Sequence, residues 1–193
     1  MKTKSIPIAA LFAATAVSLL SAGSILAHPG HNHENITVVK VKARTLSNKD
    51  LAAADKAATQ GTISDDKKTL TFTGKVINLV VHTGPEDDML SYRIVGLKNP
   101  ELVVPSGAML NVLFVNDDTD MKHNLRFTAD KAPFADQPDP KQSVGTPDIK
   151  PQTKTAKYGE EMTLRTDHVG TFTYVCTIKG HAKGGMYGTL SVH

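Results

Sequence analysis

From Thr69 to Val192 the chain is a succession of short segments rich in Val, Ile, Leu, Phe, Tyr and Thr, each closed by a turn signal. That punctuation restricts it to an all-β architecture. The segments are Thr69–Thr73, Lys75–His82, Leu90–Val95, Glu101–Val104, Met109–Val115, His123–Thr128, Met162–Thr166, Thr171–Cys176 and Tyr187–Val192. Gly74, Gly84-Pro85, Asn99-Pro100, Pro105-Ser106-Gly107, Asn116-Asp117-Asp118 and Gly170 break them apart. A β-sandwich or barrel fits this spacing, and the strand–helix alternation that a parallel α/β sheet requires is missing.

Two stretches stand outside the pattern. Ile36–Val41 predicts a first strand, after which Ser47, with Asp50 three residues on, caps a short alanine-rich helix over Leu51–Gln60 that Gly61 closes. Residues 129–160 carry Pro133, Pro138, Pro140, Pro147 and Pro151 and no usable period, so they are expected to be an insertion packed on the sandwich.

The N-terminus bears on compartment. Lys2 and Lys4 precede an apolar run, Ile6 to Leu20, which continues through small residues to Ala27 before the chain turns polar at His28. This is the pattern of a secretory signal peptide, with candidate cleavage points after Ala22, Gly23 or Ala27; an uncleaved anchor is the alternative. Removing residues 1–27 takes away two lysines and no acid, bringing the formal charge from +3 to +1. No basic surface is left to argue for nucleic acid. The expected organisation is therefore a signal peptide at 1–27, a His-rich segment and first strand at 28–45, and one domain at 46–193.

An exported chain with a single cysteine has no intramolecular disulfide and no site that needs two thiolates. Cys176 ends one strand and Tyr187 begins the next. The loop between them carries His181 five residues after the cysteine and Met186 five residues after that. Gly180, Gly184 and Gly185 allow the three side chains to converge. A thiolate, an imidazole and a thioether are donors that copper favours, and a second imidazole completes a His₂Cys set with a weak Met. Eight histidines are available: His28, His31, His33, His82, His123, His168, His181 and His193. His123 is the best placed, at the start of a strand whose end can share a pole of the sandwich with the Cys-to-Met loop. Met121 is a rival thioether, and the His28, His31, His33 group reads first as a disordered polar tail, with copper chelation by the His28 amine and ring as the alternative if cleavage follows Ala27.

Val115-Asn116 followed by a turn and His123, then Tyr174-Val175-Cys176, Gly180-His181-Ala182 and Gly185-Met186-Tyr187-Gly188, resemble the cupredoxin (type 1 blue copper) family. The likeness extends over roughly residues 45–193, and is strongest to a branch with a helical N-terminal extension and a Pro-rich insertion. It implies a cupredoxin-like Greek-key β-sandwich with a short N-terminal helical extension. One copper ion would be held by His123, Cys176 and His181, with Met186 as the axial ligand. Asn124 departs from that branch, which has a serine after its first ligand, and so bears on the redox potential.

The resemblance further implies an electron carrier rather than an enzyme, periplasmic and monomeric, without a small-molecule substrate. Its partners would be redox proteins such as c-type cytochromes or a terminal oxidase, in an iron-oxidising respiratory chain. The exposed edge of His181, amid Ala182, Gly184 and Gly185, is the expected docking face. A copper nitrite reductase or multicopper oxidase would need further cupredoxin repeats. A periplasmic copper chaperone or storage protein is the alternative function.

Overall fold

The computed structural model describes residues 36–193. The segment expected to be a signal peptide, and His28, His31 and His33, lie outside the described residues. Among the described residues, thirteen strands are arranged in two sheets. In chain order they are β1 (Thr37–Leu46), β2 (Thr62–Ile63), β3 (Thr69–Thr71), β4 (Val76–Thr83), β5 (Tyr92–Ile94), β6 (Leu97–Lys98) and β7 (Glu101–Val104), then β8 (Met109–Asn116), β9 (Arg126–Thr128), β10 (Val144–Gly145), β11 (Lys157–Arg165), β12 (Gly170–Val175), β13 (Tyr187–Val192). His123 and Ile149 form a separate isolated antiparallel bridge outside these strands. 

The six-stranded sheet runs β1-β11-β8-β4-β5-β6 and the seven-stranded sheet β10-β9-β12-β13-β7-β3-β2. Three neighbouring pairs, β4·β8, β13·β7 and β3·β7, are parallel, which places crossover connections between the sheets.

The inner faces of both sheets form one core that includes Leu70, Ile77, Leu79, Tyr92, Leu110, Phe114, Tyr174 and Leu190. A smaller core lies outside the six-stranded sheet. There the helix α1 (Asn48–Ala57) lays Leu51 and Ala54 on Val80, Leu113 and Val115. This explains why β8 reads Leu113-Phe114-Val115 instead of alternating, since both of its faces are covered at that end. Burying Leu51 fully contributes about 1.5–3 kcal/mol.

The helix begins as its sequence predicts, with Ser47 and Asp50 forming a reciprocal capping box. It stops sooner than expected, at Ala57. Thr59 N–H donates to Asn78 O at 2.8 Å and Thr59 Oγ1 accepts from Asn78 N–H at 2.9 Å, so β4 captures the chain before the alanine-rich run can extend the helix. β1 is longer than expected, continuing to Leu46 along β11, and therefore runs through the boundary anticipated at residue 45.

The Pro-rich stretch is also shorter than 129–160, because residues from Lys157 onward belong to β11. Its interior is tied to the sandwich by side chains. The Arg126 guanidinium donates to the carbonyls of Pro140, Ser143 and Thr146, and Val144–Gly145 pairs with β9.

Candidate metal centre

Three segments meet at one pole of the sandwich: the turn after β8, the Pro-rich stretch, and the loop from Cys176 to Met186. Asn116, the last residue of β8, organises the first two. Its Nδ2 donates to the carbonyls of Met121, Ile149 and Lys150, while its Oδ1 accepts from Asp118 N–H. His123 then pairs with Ile149 through N–H···O bonds of 3.1 and 2.8 Å. The strand expected from His123 to Thr128 accordingly narrows to Arg126–Thr128, since His123 pairs with the Pro-rich stretch and not with the main sheet.

The C-terminal loop is held by its own backbone. Cys176 N–H donates to Met186 O at 3.1 Å, Met186 N–H to His181 O at 3.0 Å and Gly184 N–H to Gly180 O at 2.9 Å. Gly180 and Gly185 take φ of 84° and 104°, in the left-handed region that a side chain would strain. Gly184 serves differently, because a Cβ there would collide with Leu90. From outside, Asn99 Nδ2 donates to Gly185 O and Gly180 N–H donates to Asp136 O, so the Pro-rich stretch also braces this loop.

These constraints bring together His123, Cys176 and His181, whose donor atoms lie within 4.8 Å of one another. Cys176 Sγ is 3.4 Å from His181 Nδ1, and His123 Nδ1 is 3.2 Å from Met186 Sδ. His123, Cys176 and Met186 are 0% exposed and His181 is 6% exposed. The expected docking face is thereby corrected in part: His181 reaches the surface only by a narrow edge and Ala182, at 1%, is buried, while Gly184 is exposed.

Burial sets the protonation of the metal-free pocket. It pushes the Cys176 thiol up to about 11, against backbone hydrogen bonds that act the other way. It pulls His181 down to about 4, helped by the neighbouring His123 ring. It also lowers His123, although the Asp118 carboxylate opposes it. Both imidazoles are thus neutral near pH 7, as metal ligands must be, and the thiol proton has to leave when a metal enters.

In the sequence Asp118 reads only as turn punctuation; in the structure it contacts His123, whose Nε2 lies 2.9 Å from Asp118 Oδ2. Its position five residues before His123 was the available signal. Asp148 was missed as well; its Oδ1 accepts from Asn124 Nδ2 at 2.8 Å. His82 lies between Asp55 and Asp117, away from the pocket, and His168 is exposed.

The profile of the copper-binding plastocyanin/azurin family matches residues 79–193, more than half of the chain. The chain belongs to the cupredoxin family. Among its relatives in that family, rusticyanin of Acidithiobacillus ferrooxidans is 34% identical over 125 residues, which cover 64% of this chain and 81% of the relative. Rusticyanin of Acidithiobacillus ferridurans is 32% identical over 133 residues, covering 68% and 70%. The structure of reduced rusticyanin at 1.9 Å superposes with a TM-score of 0.71 at 27% identity, covering 79% of this cupredoxin and 100% of that chain. The β-sandwich expected from the sequence is therefore the cupredoxin fold. The donor chemistry of the pocket, one thiol, two neutral imidazoles and a thioether shielded from water, fits the copper that the family binds.

Proposed function

We propose that this cupredoxin is a periplasmic type 1 copper protein that carries single electrons between respiratory redox partners. The observation that carries this reading is the buried convergence of Cys176, His123 and His181 with Met186. His123 Nδ1, Cys176 Sγ and His181 Nδ1 would hold the ion, with Met186 Sδ as a weak fourth donor. Bound copper would supply a one-electron Cu(II)/Cu(I) couple.

The chain's own contribution is rigidity and exclusion of water. The loop hydrogen bonds and the Asn116 network fix all four donors before any metal arrives, so a change of charge demands little rearrangement. His181 is the member of the set that reaches the surface, which makes its edge the point of closest approach for a partner. The partners we propose are c-type cytochromes or a terminal oxidase, and the apolar run at residues 6–27 supports export.

Mixing the reduced, copper-loaded protein with an oxidised c-type cytochrome tests this. One equivalent of cytochrome should be reduced per copper while the metal stays bound. Transfer of Cu(I) to a metal-free acceptor, with no cytochrome reduction, would instead establish a chaperone or storage protein.

A further inference from the structure

His123 is held on both sides of its ring. Nδ1 faces Met186 Sδ at 3.2 Å, and Nε2 faces Asp118 Oδ2 at 2.9 Å. The Asp118 side chain is 3% exposed and that of His123 is 0% exposed, so water does not weaken their contact. The other carboxylate oxygen, Oδ1, accepts from the N–H groups of Asp120 at 2.7 Å and Met121 at 2.9 Å. The carboxylate is therefore anchored by backbone and aimed at the ring. An ionised carboxylate only accepts, so Nε2 carries the proton and Nδ1 presents its lone pair to the pocket.

Resting on the type 1 copper reading, we infer that Asp118 is a positioning residue that selects the metal-binding tautomer of His123 and lowers the reduction potential of the site. A buried carboxylate accepting from the far nitrogen makes an imidazole a stronger donor, and it favours the oxidised ion, which carries the greater positive charge. Asn at this position would retain an oxygen for the two backbone N–H groups but would turn an N–H₂ donor toward Nε2. Two donors would then oppose each other whenever Nδ1 is occupied.

The test compares the midpoint potential and Cu(II) affinity of the parent with those of Asp118→Asn and Asp118→Ser. The serine hydroxyl can still cap the turn and provides a second variant should asparagine disturb folding. Asp120→Asn removes an exposed charge from the same turn and serves as the control. Both Asp118 variants should bind Cu(II) about tenfold more weakly. With Cu(I) affinity retained, the potential should rise by about 59 mV. Asp120→Asn should change the affinity less than twofold. Unchanged potentials in both Asp118 variants, or an equal rise in Asp120→Asn, would overturn the inference. A parent protein that develops no copper–thiolate absorption would overturn the type 1 reading itself, before any variant is compared.

Discussion

Asn124 and Thr177, 53 positions apart in sequence, are joined by two hydrogen bonds: Asn124 Oδ1 accepts from Thr177 N–H at 2.8 Å, and Asn124 Nδ2 donates to Thr177 Oγ1 at 3.0 Å. Each follows a candidate ligand, His123 or Cys176. The pair thus ties the two halves of the pocket to each other.

Replacing Asn124 with alanine should cost about 1–3 kcal/mol, because Thr177 N–H would be left buried without a partner. Asp148 would also lose a donor. Thermal unfolding of the metal-free protein measures the loss. An unchanged melting temperature would show that the clamp contributes nothing to the prepared pocket.

Met186→Leu should leave a folded protein that still binds copper, since the two side chains have similar volumes and the site is buried. Loss of the weak thioether donor should raise the midpoint potential. Voltammetry of the copper-loaded variant provides the measurement, and an unchanged potential would remove Met186 from the donor set.

His82 gives stability a pH dependence away from the pocket. Burial lowers its pKa, but the carboxylates of Asp117 and Asp55 outweigh burial and raise it above the ordinary histidine value. A folded-state pKa above the unfolded one stabilises the protein fully below the unfolded pKa, and the gain disappears as pH rises through the folded value. The difference in melting temperature between the parent and His82→Gln should therefore shrink as pH rises from the ordinary histidine value of about 6.5 through the raised folded-state value. A constant difference across that range would contradict the ion-pair account.

In the metal-free protein Cys176 is buried, and its thiol is pushed up to about 11, so it is protonated near neutrality. Alkylation by iodoacetamide at neutral pH should be far slower than that of the same thiol after denaturation. Equal rates would mean that the pocket is open or the thiolate already formed.

Much of the fold was legible because its signals are local. Glu101–Val104 and Tyr187–Val192 have the bounds that their apolar runs predict, and the Ser47/Asp50 box marks the helix start. The helix end was not legible, since Asn78, on a distant strand, decides it. The Pro-rich stretch was opaque for the same reason. Its path is set by Arg126 and Asn116, whose side chains reach carbonyls across the chain, and no periodicity records such bonds. At the pocket, Cys176, His181 and Met186 could be read from their spacing in one loop, whereas His123 depended on family likeness and Asp118 on three-dimensional proximity.

A single copper–thiolate site built on Cys176 is tested most directly by titrating the metal-free protein with Cu(II) and following visible absorption. An intense band is expected that saturates at one equivalent, bleaches on reduction, returns on oxidation and is absent from Cys176→Ser. A colourless copper complex, or a band that survives in Cys176→Ser, would contradict it.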